Sequence, residues 1–352
     1  MKVGIIATSR FPMRQPFPGG LEAHADLLRR SLVARGHDVT VFAGRESDPS
    51  IGVVALSDRP PPFSEAGRQD VSSAPGAFLD EHHAYLDLMT RISDYDLDVV
   101  HNNSLHYLPI AMAAASPPMV TTLHCPPTPW LESAIDLAWG RVRPRLVSVS
   151  DHNAAAWPRG VDTVIPNGID LTAWPMGQGD GGYAVWTGRF VAEKAPHLAI
   201  RAARAAGIEL VLAGPRHDRE YFDTCIAPEL GHDVVYAGHL DGASTAALVG
   251  RARVALATPM WDEPFGLVVA EATACGTPVA AFGTGALPGL VDGDTGRLAP
   301  PGDVAGLARC ITEARDLDRS RCRRHAERWF DAEVMVDRYL DEYDLARGRA
   351  TP

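Results

Sequence analysis

Two carboxylates eight residues apart, Glu263 and Glu271, sit in the segment Trp261-Asp262-Glu263-Pro264-Phe265-Gly266-Leu267-Val268-Val269-Ala270-Glu271-Ala272. Pro264 keeps the preceding residue out of helical conformation, so Glu263 is expected in a loop. Gly266 lets the backbone approach a ligand closely. A helix starting near Leu267 would aim its free N–H groups and its dipole at an anion such as a diphosphate. Glu271 then lies about a turn further in. One acid could face a sugar, and the other could accept hydrogen bonds from ribose hydroxyls. A solvated loop acid and a helix-face acid would produce the same spacing.

A second segment, Thr187-Gly188-Arg189-Phe190-Val191-Ala192-Glu193-Lys194-Ala195-Pro196, ends a strand in glycine and sets two cations before the next helix. Arg189 and Lys194 can neutralise a diphosphate in the same cleft. Surface salt bridges are the alternative. Pro18-Gly19-Gly20-Leu21-Glu22 puts a flexible glycine pair before the first helix, although a tight turn explains most such pairs. Thr121-Thr122-Leu123-His124-Cys125-Pro126 puts His124 at a strand's carboxyl end. Ligands bind there in α/β sheets, but a lone histidine in such a place more often makes a structural hydrogen bond.

The elements that must carry these residues alternate. Val3 to Ala7 is a near-continuous apolar run, as expected of a strand buried on both faces. Leu21, Ala25, Leu28 and Leu32 then mark one helical stripe, closed by Gly36-His37, and Val39 to Ala43 is the next strand. Further strands are expected at 52–55, 97–101, 118–122 and 145–149, with helices at 77–92, 106–115 and 151–157. Residues 57–76, rich in Pro and Ser, read as a surface loop. Pro166-Asn167-Gly168-Ile169-Asp170 leads into a Gly-rich linker, and the alternation restarts. Strands follow at 183–187, 209–213, 234–237, 253–257 and 278–281, with helices at 195–206, 218–226, 242–250, 267–275 and 303–315. Residues 318–347 read as helical and strongly charged. The expected fold is α/β, with two doubly wound Rossmann-like domains facing across a cleft.

Composition agrees with that size. The chain of 352 residues has room for about two domains. Hydrophobic residues make up 46% and charged residues 22%, as in globular proteins. A net charge of -11 disfavours nucleic acid and anionic lipid as partners. Five scattered cysteines without a CxxC pair read as reduced thiols. The first residues lack a signal-peptide pattern, and no apolar run approaches the ~18 residues of a membrane span. A cytoplasmic protein without an integral membrane segment is expected.

Competing motifs are weak. Asp96-Leu97-Asp98 and Asp292-Gly293-Asp294 could hold a metal, but their positions favour capping and turn roles. Gly283-Thr284-Gly285 resembles part of a dinucleotide fingerprint, with its third glycine displaced to Gly289. Neither a G-x-S-x-G elbow nor a P-loop is present. Cys125 beside His124 could suggest a thiol nucleophile, but neighbours in a strand rarely point at each other.

Taken in order along nearly the whole chain, these segments resemble the retaining glycosyltransferases of the GT-B fold, family 4 (glycosyl transferases group 1). Glu263 to Glu271 matches the E-P-F-G-L-x-x-x-E signature, and Gly188-Arg189 with Lys194 the phosphate-binding pair. Pro166 to Asp170 matches the interdomain P-N-G-[IV]-D element, and Gly19 to Glu22 the glycine loop. Thr277-Pro278-Val279, Asp294-Thr295-Gly296 and Pro301-Gly302-Asp303 match the C-terminal pattern. Where many members carry Lys-Gly this chain has Lys194-Ala195, and where many carry Glu near Pro288 it has Gly289.

The resemblance implies residues 1–165 as an acceptor-side domain and 166–330 as a nucleotide-sugar-binding domain. Residues 331–352 would form a helix packing back on the first. It implies a hexosyl unit moved from a nucleoside-diphosphate sugar to a hydroxyl, with retention and without a metal. Glu263, His124, Arg189 and Lys194 would be the catalytic set. Gly19, Gly20, Phe265, Gly266, Leu267 and Glu271, with the two cations, would bind the donor. The loop 57–76 and residues 126–139 would face the acceptor, where Trp130 and Trp139 could stack on a sugar ring or an aromatic aglycone, although core packing is the commoner role for such residues. The acidic balance favours a soluble or saccharide acceptor over a lipid. A phosphorylase, a sugar-nucleotide epimerase or a non-catalytic sensor of the same fold remains the alternative.

Overall fold

A computed structural model describes residues 1–57, 62–70 and 76–348. The first sheet has seven parallel strands: β1 (Lys2–Ile6), β2 (Asp38–Ala43), β3 (Val54–Ala55), β4 (Val99–Asn102), β5 (Met119–Leu123), β6 (Arg145–Ser148) and β7 (Thr163–Val164). Their order is β3-β2-β1-β4-β5-β6-β7. The second sheet has six: β8 (Ala184–Thr187), β9 (Leu210–Ala213), β10 (Val234–Tyr236), β11 (Val254–Ala257), β12 (Val279–Phe282) and β13 (Gly296–Ala299). Their order, β10-β9-β8-β11-β12-β13, repeats the first pattern. The order reverses between β1 and β4 and again between β8 and β11. Crevices for ligands open at such points beyond the strands' carboxyl ends.

Each sheet is buried on both faces, which is why its strands are short and apolar. In the second sheet Val185 and Ala255 face one core with Val269 and Ala272. Their neighbours Trp186, Val254 and Leu256 face the other, with Ile200 and Ile311. This is the two-residue alternation of a strand. In the first sheet Ile5, Val99 and Val120 pack against Leu28 and Leu32 of the helix Gly20–Ala34. Leu28 is fully buried, and truncating such a leucine to alanine costs about 2–5 kcal/mol.

The helix Ala332–Ala346 packs on this first sheet, with Met335, Val336, Tyr339 and Tyr343 in its core. It gets there by a second crossing between the sheets. Ile169 N–H donates to Phe330 O at 2.6 Å, and Ala332 N–H donates to Ile169 O at 3.1 Å. The two crossing segments are thus tied side by side.

Several elements differ from the sequence reading. The charged stretch 318–347 is two helices, Arg319–Trp329 and Ala332–Ala346, the second capped by Asp331. The loop 57–76 contains a short helix, Glu65–Arg68, while residues 58–61 and 71–75 lie outside the described residues. Pro129–Trp139 is a helix capped by Thr128, with Pro129 at its first position. The edge strands β7 and β13 also went unrecognised.

Candidate active site

The helix Leu267–Ala274 begins where the loop after β11 turns back. Gly266 caps it at φ +100°, a left-handed conformation that L side chains resist. No side chain caps this end, so its first amides point onward without an intrahelical partner. The glycine loop of the first sheet comes to meet it. A Cβ placed on Gly20 would lie 3.1 Å from Leu267 Cδ2. Gly19, Gly20, Phe265, Gly266 and Leu267 therefore line one opening.

Arg189 follows β8, and Lys194 ends a short turn over Ala192–Lys194. Ala195 then takes φ +46° and ψ 49°, the left-handed conformation normally given to glycine. The loop is nevertheless pinned. Thr258 Oγ1, at the end of β11, donates toward Lys194 O at 2.9 Å and Ala195 O at 3.1 Å. Trp186 Nε1–H donates to the same hydroxyl at 3.1 Å.

Lys194 Nζ is ion-paired with Glu263 Oε2. Trp261 Nε1–H donates to that oxygen at 2.9 Å, and Lys194 Nζ lies 5.1 Å from the Trp261 ring centroid. The Glu263 backbone is fixed separately. Its carbonyl accepts from Ala286 N–H at 2.8 Å, and a Cβ on Gly285 would come within 2.4 Å of Glu263 N. The Gly283-Thr284-Gly285 segment thus supports Glu263 by close backbone contact.

Glu271 projects from the helix into the same cleft. Burial pushes its carboxyl up to about 8. Among the described residues neither Glu271 nor Arg189 has a side-chain hydrogen bond or ion pair.

The first sheet contributes a different set. His124 Nε2 lies 2.8 Å from Asn103 Oδ1, and burial holds its ring well below the ordinary histidine range. His24 meets it edge-on at 4.9 Å between centroids, and burial lowers His24 to about 4. Behind them His101 Nδ1 lies 2.6 Å from the Tyr343 hydroxyl, and His101 Nε2 lies 2.8 Å from Thr122 Oγ1. Thr122 also contacts the Tyr339 hydroxyl at 3.1 Å. The buried Glu22 carboxyl is raised by its burial, against a smaller opposing effect of Arg189.

All ten residues singled out in the sequence line one cleft of about 1080 Å³ between the sheets. Contacts cross it near Glu263: Ser150 Oγ–H donates to Pro264 O at 2.6 Å, and His152 Nε2 lies 2.7 Å from Asp262 Oδ1. Sequence reasoning missed Trp261 as a partner of Glu263, gave Glu22 of the glycine loop no role of its own, and missed His24 and Thr258. For Trp261 the available signal was an indole two residues before an acid in a cleft loop. Two cations and an open helix start can hold a diphosphate, and two carboxylates can accept from hydroxyls. Among the described residues no cluster of three or more His, Cys, Asp or Glu side chains is placed to hold a metal ion. Among them also, no helix is long and apolar enough to cross a membrane.

Known proteins share the sequence pattern and the fold. The model "Glycosyltransferase Family 4" matches residues 18–173, and "Glycosyl transferases group 1" matches residues 182–316. Glycogen synthase of Mycobacterium tuberculosis is 29% identical over 343 residues, covering 85% of this chain and 83% of its own. Phosphatidyl-myo-inositol mannosyltransferase of Mycolicibacterium smegmatis is 27% identical over 379 residues, covering 99% and 95%. The structure of Anabaena HepE in complex with UDP-glucose has the same fold, with a TM-score of 0.74 at 20% identity over 98% of this chain and 100% of that one. Matched in both halves and folded as two facing doubly wound sheets, the chain belongs to the GT-B glycosyltransferases of family 4, the glycosyl transferases group 1.

Proposed function

We propose that the protein moves a hexosyl unit from a nucleoside-diphosphate sugar to a hydroxyl acceptor, with net retention at the anomeric carbon. The observation that carries this reading is the second wall of the cleft. Arg189, Lys194, the start of the helix Leu267–Ala274, Glu263 and Glu271 all open into one space. HepE, of the same fold, holds UDP-glucose, which supports a sugar nucleotide as donor.

Arg189 and Lys194 neutralise the diphosphate as charge builds on the leaving oxygen, and no metal ion is needed for that role. Gly19 and Gly20 close over the phosphates. Backbone N–H groups at Phe265, Gly266 and Leu267 hold phosphate or sugar hydroxyls. Glu271 accepts from the ribose, Glu263 contacts the transferred sugar, and His124 contacts it from the opposite wall. Glu263 is not a covalent nucleophile in this reading. The acceptor attacks on the donor's front face, and the leaving phosphate takes its proton.

Residues 1–165 form the acceptor side, and residues 166–330 form the nucleotide-sugar side. One relative's name carries glycogen and another's phosphatidyl-myo-inositol, a glycan and a lipid. The net charge of -11 favours a soluble or saccharide acceptor in a cytoplasmic setting.

The test is a panel of sugar nucleotides, read by release of the nucleoside diphosphate and by proton NMR of the product's anomeric coupling. Retention supports the reading. Inversion, or turnover that requires inorganic phosphate as acceptor, overturns it.

A further inference from the structure

We infer that Trp261 is a positioning residue for Glu263, one that fixes which carboxylate oxygen is offered to the sugar. This rests on the donor-site reading above. The geometry is specific to one atom. Glu263 Oε2 takes both the Lys194 ammonium and the Trp261 indole N–H, the latter at 2.9 Å. Among the described residues Oε1 takes no donor. The carboxylate is therefore anchored through one oxygen, and the other stays available to a sugar hydroxyl. Glu263 is buried, so rotation about its last bond would strip a charged oxygen of its partners.

The same indole also faces Lys194, at 5.1 Å from ring centroid to Nζ. Lys194 thus has two resting partners, Glu263 and the Trp261 ring. When a diphosphate arrives, the ammonium turns toward it and leaves Glu263. A carboxylate held only by Lys194 would lose its anchor at that moment. The indole N–H does not move with the lysine, so the carboxylate keeps its orientation through donor binding. Packing around the site supports the loop independently. The Glu263 carbonyl is held by Ala286 N–H, and the Pro264 carbonyl by the Ser150 hydroxyl. A change of the Trp261 side chain leaves both of these backbone bonds in place.

Trp261→Phe keeps the aromatic face for Lys194 and removes only the N–H. The expected result is a fall in kcat of about ten- to hundredfold, the range for one hydrogen bond to a charged group. The KM for the sugar nucleotide and the affinity for the free nucleoside diphosphate stay within about twofold. In a Glu263→Ala background the same substitution changes kcat by less than about twofold, because the acceptor of the indole N–H is already gone. Trp261→His, which retains a ring N–H, recovers part of the loss.

Equal losses in both backgrounds would mean that the indole acts by packing, and would overturn the inference. So would a loss confined to KM or to nucleoside diphosphate affinity, or no loss at all. A wild-type protein that binds no nucleoside diphosphate and turns over no sugar nucleotide would instead overturn the donor-site reading, and this inference with it.

Discussion

The second wall of the cleft leaves Arg189 and Glu271 without side-chain partners among the described residues, and Lys194 and Glu263 pair there with each other. The first wall, built on the same strand order, pairs several of its charges locally, although buried Glu22 has no side-chain ion pair among the described residues. Arg10 is held by Glu81 at 3.1 Å, and Asp26 by Arg29 and Arg30. What the first wall brings to the centre is imidazole kept neutral by burial, at His24 and His124. Behind them His101, Thr122, Tyr339 and Tyr343 form a connected network that reaches the helix Ala332–Ala346, while both ring nitrogens of His24 are buried without a hydrogen-bond partner among the described residues. Charge left open in a partly buried place costs stability unless a ligand completes it. A network closed on itself contributes to the fold whether or not a ligand is present. In the proposed reading the contrast puts the open cations on one wall and most of the rigid support on the other.

If that division holds, substitutions on the two walls should fail in different ways. Lys194→Ala is expected to have the largest effect, a loss of about 2–4 kcal/mol of transition-state stabilisation, with a smaller drop in melting temperature because buried Glu263 keeps the Trp261 N–H. Steady-state kinetics and a thermal melt check both halves of that statement. On the other wall Tyr343→Phe leaves buried His101 short of a partner. It should lower stability by about 1–3 kcal/mol while kcat per folded molecule is kept. Urea unfolding with parallel kinetics separates the two, and a kcat loss without a stability loss would break the comparison.

Glu271→Gln should weaken donor binding about tenfold, equivalent to about 1.4 kcal/mol. The sign of its pH effect follows from its raised carboxyl. The unfolded chain ionises it near the ordinary carboxyl value, and the folded protein only near 8. Stability therefore falls as pH rises between those points, and the variant should lack that fall. Unfolding of both proteins across pH 4 to 9 would reveal it. Ala195→Gly is expected to have the smallest effect, a gain on the order of 1 kcal/mol from relief of a left-handed alanine, with activity retained. A loss of stability there would mean that the chain-entropy cost of glycine outweighs the strain.

Arg189 and Glu263 were legible because each stands beside a glycine or proline after a strand's end, where α/β ligands bind, whereas Lys194 and Glu271 were legible by their spacing from these two. Gly188-Arg189 and Pro264 with Gly266 punctuate the pattern as well as shape the site. The network on the first wall was not legible. His101, Thr122, Tyr339 and Tyr343 come from three distant segments, and only the packing of the last helix brings them together. The helix Pro129–Trp139 was obscured because Trp130 and Leu137 are exposed, which breaks the one-sided stripe. Strand β13 carries Arg297 at the sheet's edge, and β7 is two residues long, so neither produces a clear alternation. The pairing of Lys194 with Glu263 spans 69 positions, which local spacing does not encode.

The most direct measurement is thermal unfolding of the wild-type protein against UDP, GDP, ADP, CMP and dTDP, repeated with Lys194→Ala. A ligand at 100 times its dissociation constant adds about 2.7 kcal/mol of stability. A clear stabilisation by one nucleoside diphosphate is expected, strongly reduced in the variant. No stabilisation by any of them, or an equal one in the variant, would contradict the assignment of Arg189, Lys194 and Glu271 to the donor.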